Sequence, residues 1–195
     1  MRRLGQTPSQ TVGPYFSMRL GAEGQHVLAG PEVPGRHVRI EGRVLDHDGV
    51  HIEDALLEVW QADAEGRYRH PDDRWGDDLA DLPFTGFGRA VTDFRTGVYV
   101  IETIKPGNVP GPGGSRQAPH LSLIIQARGM LEPSFTRVYF SDEGEQNERD
   151  QVLSRVPAER RHTLLAELLP GSGAVPTYRF DIRFGGESET VFLDF

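Results

Sequence analysis

The chain has 195 residues, a length that allows one domain with a sizeable core and short appended segments. Acidic residues outnumber basic ones by 29 to 21, which gives a formal net charge of −8. We expect no nucleic-acid partner, because phosphate binding requires clustered cations. The absence of cysteine excludes disulfides, thiolate metal sites and cysteine nucleophiles.

Turn-forming residues are abundant, with 23 glycines and 14 prolines, and they favour a β-rich fold with short strands. No stretch approaches the roughly 20 apolar residues of a membrane span. The first eight residues carry two positive charges without a following apolar run, so no signal peptide is predicted. We therefore expect a cytoplasmic protein with no membrane partner.

Residues 1–36 are predicted to form an N-terminal arm. The stretch 7–16 is polar, contains two prolines and shows little periodicity. Ordering each of its residues costs about 1–2 kcal/mol in backbone entropy, and burying Val12, Tyr15 and Phe16 at roughly 1.5–3 kcal/mol each cannot offset this. The arm is either a disordered tail or a segment that docks on another surface, and its aromatic residues favour docking.

Alternating apolar residues predict about seven strands within a second region, residues 37–195. The predicted strands cover residues 37–46, 55–62, 89–93, 98–103, 120–127, 135–140 and 178–184. A helix is predicted at 157–169, where Pro157 suits the first turn and four leucines follow at helical spacing. Residues 142–155 show a weaker helical tendency. The predicted fold is mostly β: an antiparallel β-sandwich core with an N-terminal arm, long loops and a late helix.

The stretch 104–129 is the first candidate site. Its first half is rich in proline and glycine and suits neither helix nor strand, while its second half alternates as a strand. On that strand His120 and Ser122 share one face. A rigid loop that leads into a strand bearing two polar side chains predicts a site at the mouth of the loop.

Four motifs, in this order along the chain, resemble those of the intradiol ring-cleavage dioxygenases. They are Leu57-Glu-Val-Trp-Gln-Ala-Asp-Ala-Glu-Gly66, Thr103-Ile-Lys-Pro-Gly107, Ala118-Pro-His120 and Tyr178-Arg-Phe-Asp-Ile182. With the stretches 7–15 and 189–195, the resemblance covers nearly the whole chain. It implies a β-sandwich core, which agrees with the strand pattern, and cleavage of an aromatic ring with O2.

The resemblance also implies where a metal would bind. Catalytic chains of this family hold Fe(III) with two tyrosines and two histidines, and these positions fall at Trp75, Val109, His120 and Ser122 of this chain. An indole, an aliphatic group and a neutral hydroxyl are poor ligands for ferric iron. A catalytic-chain arginine just before the histidines falls at Gln117. No metal site and no catalytic residue are therefore expected in this chain alone, and His120 is expected to be a hydrogen-bonded pocket residue.

A homologous β chain that holds Fe(III) is the partner that the resemblance implies, together with protocatechuate and O2 as substrates. In such hetero-oligomers the arm of the α-type chain forms part of the substrate pocket. The positions carried over to the pocket wall are Thr11, Gly13, Pro14, Tyr15 and Arg128. Gly13 allows close backbone approach, Pro14 presents a stiff apolar face, and Arg128 attracts a dianionic substrate.

Three alternatives stay open at this point. Arg128 could form a surface or interface salt bridge, and Tyr15 could anchor an interface without touching substrate. The whole chain could be a non-catalytic scaffold or a module that binds a small aromatic molecule.

Overall fold

The computed structural model describes residues 5–13, 15–73 and 83–194. Most of the regular structure is β. The strands are β1 (His37–Leu45), β2 (Leu56–Gln61), β3 (Phe87–Val91), β4 (Val98–Ile104), β5 (Val109–Pro110), β6 (Arg116–Gln117), β7 (His120–Gln126), β8 (Ser134–Phe140), β9 (Leu165–Leu168), β10 (Thr177–Arg179) and β11 (Ile182–Arg183). The helices are α1 (Phe16–Leu20) and α2 (Gly144–Arg149), with 3₁₀ turns at Pro112–Gly114, Leu153–Arg155 and Ala158–Leu164.

Nine strands of the described residues form one hydrogen-bonded path in the order β11-β1-β10-β9-β8-β7-β2-β3, with β4 added on β1. Strands on the β1 side of this path and strands on the β7 side both contribute side chains to one main apolar core. Fully buried members of this core are Ile40, Leu57, Ile101, Leu121 and Ile125. This is the expected β-sandwich, and a mixed one, because β10 and β11 run parallel to β1 and β9 runs parallel to β8.

The strand predicted at 178–184 is interrupted in the middle. β10 and β11 both pair with β1, and between them the Phe180 N–H still donates to the Glu41 carbonyl of β1 at 2.9 Å, while side chains also contact this segment. The Tyr99 hydroxyl donates a hydrogen bond to the Phe180 carbonyl, and the Asp181 carboxylate accepts one from the Arg43 N–H at 2.9 Å. A Cβ on Gly42 would lie 1.8 Å from the Phe180 oxygen, so only glycine permits this close approach.

The helix predicted at 157–169 is wrong over its second half. A 3₁₀ turn ends at Leu164, and β9 follows directly. β9 lies between β8 and β10, where Ala166 is buried in the main core. Sheet hydrogen bonds on both sides outweigh the modest helical propensity of the leucines. The weaker helical tendency of 142–155 corresponds to α2 and the 3₁₀ turn that follows it.

The segment 1–36 behaves in two different ways within its described residues. Residues 5–13 are largely exposed, whereas Leu28, Ala29 and Val33 are buried in the main core. The Leu28 N–H also donates to the Glu102 carbonyl at 2.8 Å, beside β4. Docking of the exposed stretch on a partner chain stays a prediction.

None of the helices in the described ranges has the length and hydrophobicity needed to cross a lipid bilayer.

Candidate functional site

The arm and the turn after β7 are in contact. The Gly129 N–H donates to Oγ1 of Thr11 at 2.9 Å, and the Ser9 hydroxyl donates to the Glu132 carboxylate at 3.4 Å. Gly129 has a φ of +94°, which favours glycine at this point of the turn. The turn therefore offers a backbone donor to the arm, directly beside Arg128.

A cavity of about 430 Å³ adjoins this contact, and both Tyr15 and Arg128 line it. Tyr15, Met18 and Phe94 contribute apolar surface to it and are 75%, 77% and 67% exposed. Clustered exposed apolar side chains beside a charged rim are typical of a surface that a partner or ligand covers. The cavity thus combines apolar surface with a guanidinium at its edge.

Arg128 is held by an ion pair with Asp54, with 3.3 Å between Nε and Oδ2. The Asp54 side chain is 13% exposed, while that of Arg128 is 57% exposed. The guanidinium carries five N–H donors and is more than half exposed, so it can still bind an anion, although the Glu53 and Asp54 carboxylates line the same cavity. Arg128 therefore forms a salt bridge within this chain, as one of the alternatives proposed. This salt bridge is compatible with a ligand-binding role.

The structure brings together three of the five residues predicted for the pocket wall: Thr11, Tyr15 and Arg128. Gly13 is exposed close by, and its carbonyl accepts a 3.3 Å hydrogen bond from the Phe16 N–H at the start of α1. Pro14 lies outside the described residues. The sequence did not predict a role for Asp54. The only indication available was its position in the turn before β2.

The positions that correspond to metal ligands lie around the start of β7, apart from Trp75, which lies outside the described residues. His120 is buried, and its Nδ1 is 2.7 Å from the Ala118 carbonyl. Burial, and next the positive charge of Arg137, lower the pKa of His120 to about 4. Its ring is thus neutral near neutral pH and hydrogen-bonded to the backbone, while its role as a pocket residue stays a prediction.

The other two described positions lack a suitable donor atom. Val109 is buried in β5, opposite Gln117 in β6, and has no lone pair. Ser122 pairs with Trp60 on one side and with Arg137 on the other. An aliphatic group and a neutral hydroxyl beside a guanidinium do not fit a ferric ion. Within the described residues, no group of three or more histidine, aspartate or glutamate side chains is placed to hold a metal.

Beside the positions that correspond to metal ligands lies a polar network that the sequence did not predict. Arg137 donates from Nη1 to the Gln117 side-chain oxygen at 2.7 Å and to the Tyr139 hydroxyl at 3.4 Å. The Tyr139 hydroxyl donates to Asp150 at 3.1 Å, and the fully buried Asp150 carboxylate also accepts from the Ala118 N–H at 2.8 Å. The alternation of Arg137 and Tyr139 on one face of β8 was the available signal.

The motifs at 103–107 and 178–182, both of which resemble the family, meet around Lys105. Its ammonium lies 2.9 Å from both oxygens of Asp142 and also contacts Glu143, and the Tyr178 hydroxyl donates to Asp142 at 3.0–3.1 Å. Burial alone would lower the pKa of Lys105, but its bonds to Glu143 and Asp142 raise it. These motifs therefore fasten the loop before β5 to the sheet, which is a structural role.

Comparison with known proteins identifies the family. The model of the dioxygenase family matches residues 11–186. The chain is 43% identical to the protocatechuate 3,4-dioxygenase alpha chain of Burkholderia cepacia and covers 100% of both chains. It is 41% identical to the alpha chain of Pseudomonas putida, with 98% of each covered. The beta chain of Burkholderia cepacia matches at 46% identity over 76 residues, 39% of this chain and 32% of that one.

Solved structures agree on the fold. Hydroxyquinol 1,2-dioxygenase from Pseudomonas putida DLL-E4 superposes with a TM-score of 0.64 at 23% identity, covering 95% of this chain and 69% of the other. Catechol 1,2-dioxygenase from Pseudomonas arvilla C-1 gives a TM-score of 0.60 at 20% identity, covering 82% and 55%. With the family match over most of the chain and full-length relatives above 40% identity, the chain belongs to the dioxygenase family of intradiol ring-cleavage proteins.

Proposed function

We propose that this chain is the α-type subunit of a two-chain intradiol dioxygenase that cleaves protocatechuate with O2 to 3-carboxy-cis,cis-muconate. The observation that carries the proposal is that Tyr15 and Arg128 line one exposed cavity, while Thr11 holds the arm on Gly129, the residue after Arg128. The full-length likeness to alpha chains with that substrate in their name supports the same role.

In this proposal a homologous β chain holds Fe(III), which supplies the chemistry of ring cleavage. The residues at the corresponding positions of this chain do not fit the ion, so its own contribution is made at the cavity beside the arm. The assembly is a hetero-oligomer of α and β chains. A cytoplasmic location stays a prediction.

Each cavity residue has a defined task. Tyr15 offers an aromatic ring against which a catechol ring can pack, and aromatic pairs contribute about 0.5–1.5 kcal/mol beyond the area that they bury. Arg128 attracts the substrate carboxylate, and hydrogen bonds to charged groups contribute about 1.5–3 kcal/mol. Thr11 holds the arm on the turn that carries Arg128. The arm also excludes water once the partner covers it.

The test is reconstitution with a ferric β chain, followed by steady-state kinetics with protocatechuate. Arg128→Ala is expected to raise KM at least tenfold, because a loss of about 1.4 kcal/mol in binding corresponds to a factor of ten. Tyr15→Ala is expected to raise KM about threefold to tenfold. Arg149→Ala is the matched control, since its side chain is 76% exposed in a surface pair with Glu145.

A scaffold role is the alternative, and the Arg128–Asp54 ion pair is the observation that favours it. If both cavity variants assemble normally and turn over with unchanged KM and kcat, the chain is scaffold and the pocket assignment is wrong. A separate measurement addresses iron. The chain expressed alone is expected to lack the visible colour of ferric tyrosinate, and stoichiometric ferric iron bound to it would contradict the assignment of the metal to the partner.

A further inference from the structure

A guanidinium lies among the positions that correspond to metal ligands. Arg137 on β8 pairs in register with Ser122 on β7, and Trp60 on β2 pairs with Ser122 from the other side. Directly opposed residues of antiparallel strands have Cβ atoms about 4.5–5.5 Å apart and share a face of the sheet. The three side chains therefore form one row, beside His120, which lies two residues earlier on the same face of β7.

Arg137 is fixed in this place by hydrogen bonds. Its Nη1 donates to the Gln117 side-chain oxygen at 2.7 Å and lies 3.4 Å from the Tyr139 hydroxyl, which is bonded to the buried Asp150 carboxylate. Gln117 is the position at which the resemblance expects an arginine. The chain thus keeps a guanidinium in this region but carries it on β8 instead of β6.

The charge of Arg137 acts on the aromatic side chains around it. It contributes to the lowered pKa of His120, after burial as the largest cause. It also opposes the burial that raises the pKa of Tyr68 and of Tyr139. Tyr68 in turn stacks on Trp60, with 5.8 Å between ring centroids. The charge of the guanidinium therefore acts within a cluster of four ring side chains, His120, Tyr139, Tyr68 and Trp60.

We infer that Arg137 excludes a metal ion from this position, because its fixed positive charge lies in register with Ser122 and on the same face of the sheet as His120, two of the positions that would have to hold the cation. Like charges held on neighbouring side chains repel strongly in a poorly hydrated environment. The loss of ligands at Val109 and Ser122 is then only part of the reason that the residues do not fit iron. Even with ligands restored, the guanidinium would weaken metal binding at this position. This inference does not depend on the proposed substrate.

The test restores ligands with and without the guanidinium. The full-length chain is prepared as V109Y/S122H and as V109Y/S122H/R137Q, where glutamine is neutral and can still hydrogen-bond to Gln117. Each is titrated with ferric iron and, separately, with cobalt(II). Bound metal per chain is measured after gel filtration, and ferric tyrosinate by its visible absorption. We expect the R137Q protein to bind at least tenfold more tightly than the protein that retains Arg137.

Equal binding by the two proteins would overturn the inference, and so would the absence of binding in both when circular dichroism shows that both are folded. A less invasive pair, S122H and S122H/R137Q probed with cobalt(II), answers the same question if the tyrosine at position 109 prevents folding. The control V109Y/S122H/R149Q removes one positive charge from an exposed site on α2. If that control gains as much affinity, net charge and not the position of Arg137 is responsible, and the inference fails.

Discussion

At the scale of single residues, Lys105 shows how a buried cation can hold distant segments together. Its side chain is 7% exposed, and it contacts carboxylates of Asp142 and Glu143 that are themselves largely shielded. Its ammonium also lies 4.9 Å from the centre of the Phe140 ring. Removing one partner of such a cluster leaves the other charges buried without compensation.

Lys105→Met is therefore expected to lower the free energy of unfolding by about 2–4 kcal/mol, somewhat less than for a fully buried pair because Asp142 retains some exposure. Urea unfolding of the full-length chain measures the effect. Arg149→Met is the matched control, and as part of an exposed pair within α2 it should change stability by less than about 1 kcal/mol. A loss at Lys105 no larger than the control's would contradict the assigned role.

The same cluster predicts a dependence on pH. Burial pushes the pKa of Asp142 upward, but the hydrogen bond and charge of Lys105 outweigh it and hold that pKa below its usual 3.8. The pKa of Lys105 is raised above its usual 10.5. The stabilisation from Asp142 is thus present above pH 3.8 and lost as pH falls through its lowered pKa. That from Lys105 is present below pH 10.5 and lost as pH rises through its raised pKa.

The stability difference between the wild-type chain and Lys105→Met should accordingly stay constant across the neutral range and narrow at both extremes. Unfolding curves recorded at several pH values check this. A difference that already narrows between pH 5 and pH 9 would show that groups other than Lys105 and Asp142 control it.

At the scale of elements, the turn after β2 holds the loop before β5 in place. The Gly107 N–H donates to the Asp63 carbonyl at 2.8 Å, and Gly66 in the same turn has a φ of +80°. A Cβ on Gly66 would lie 2.0 Å from the Asn108 carbonyl oxygen. The turn and the loop therefore meet backbone to backbone, just before Val109.

Gly66→Ala is expected to lower the free energy of unfolding by about 2–4 kcal/mol, from left-handed strain together with the clash. Thermal and urea unfolding measure it. Gly144→Ala is the control, because a Cβ there meets nothing within 4 Å and the residue begins α2. The control should be neutral or stabilise by up to about 1 kcal/mol. Equal behaviour of the two variants would show that the turn can relax away from the loop.

The sequence predicted strands correctly where a local pattern of alternating apolar residues determines the structure. The alternation along β1, β2, β7 and β8 places apolar side chains in the core on alternate residues, as the sequence indicates. It failed at 165–168, where leucines at helical spacing form β9. Local spacing cannot show that a gap between β8 and β10 has to be filled, because that requirement arises only when the sheet is assembled.

At the scale of the whole molecule, the chain has a well-packed sandwich and a weakly attached stretch at residues 5–13, within the predicted arm. Within the described residues, the contacts of the stretch 5–13 with the rest of the chain include two side-chain hydrogen bonds, at Ser9 and Thr11. Leu28 and Val33, by contrast, are buried in the main core. The arm is thus poorly explained by contacts within one chain, which agrees with the proposed role at a partner.

Deletion of residues 1–13 is expected to change the unfolding free energy of the isolated chain by less than about 1 kcal/mol. The same deletion should reduce protocatechuate turnover of the assembled enzyme at least tenfold. Leu28→Ala provides the contrast and should cost about 2–4 kcal/mol of stability as a large-to-small change in the core. Full activity of the truncated chain in the assembly would show that the arm does not form part of the substrate pocket.

The sequence by itself determined the β-rich class, most of the strands, the family resemblance and the mismatch at Val109 and Ser122. These depend on residue identity and on local periodicity, which can be observed in one dimension. Only the tertiary structure decided that Asp54 holds Arg128 and that Arg137 reaches Gln117. Such pairs join residues far apart in the chain, and the register and packing of the strands determine which side chains meet.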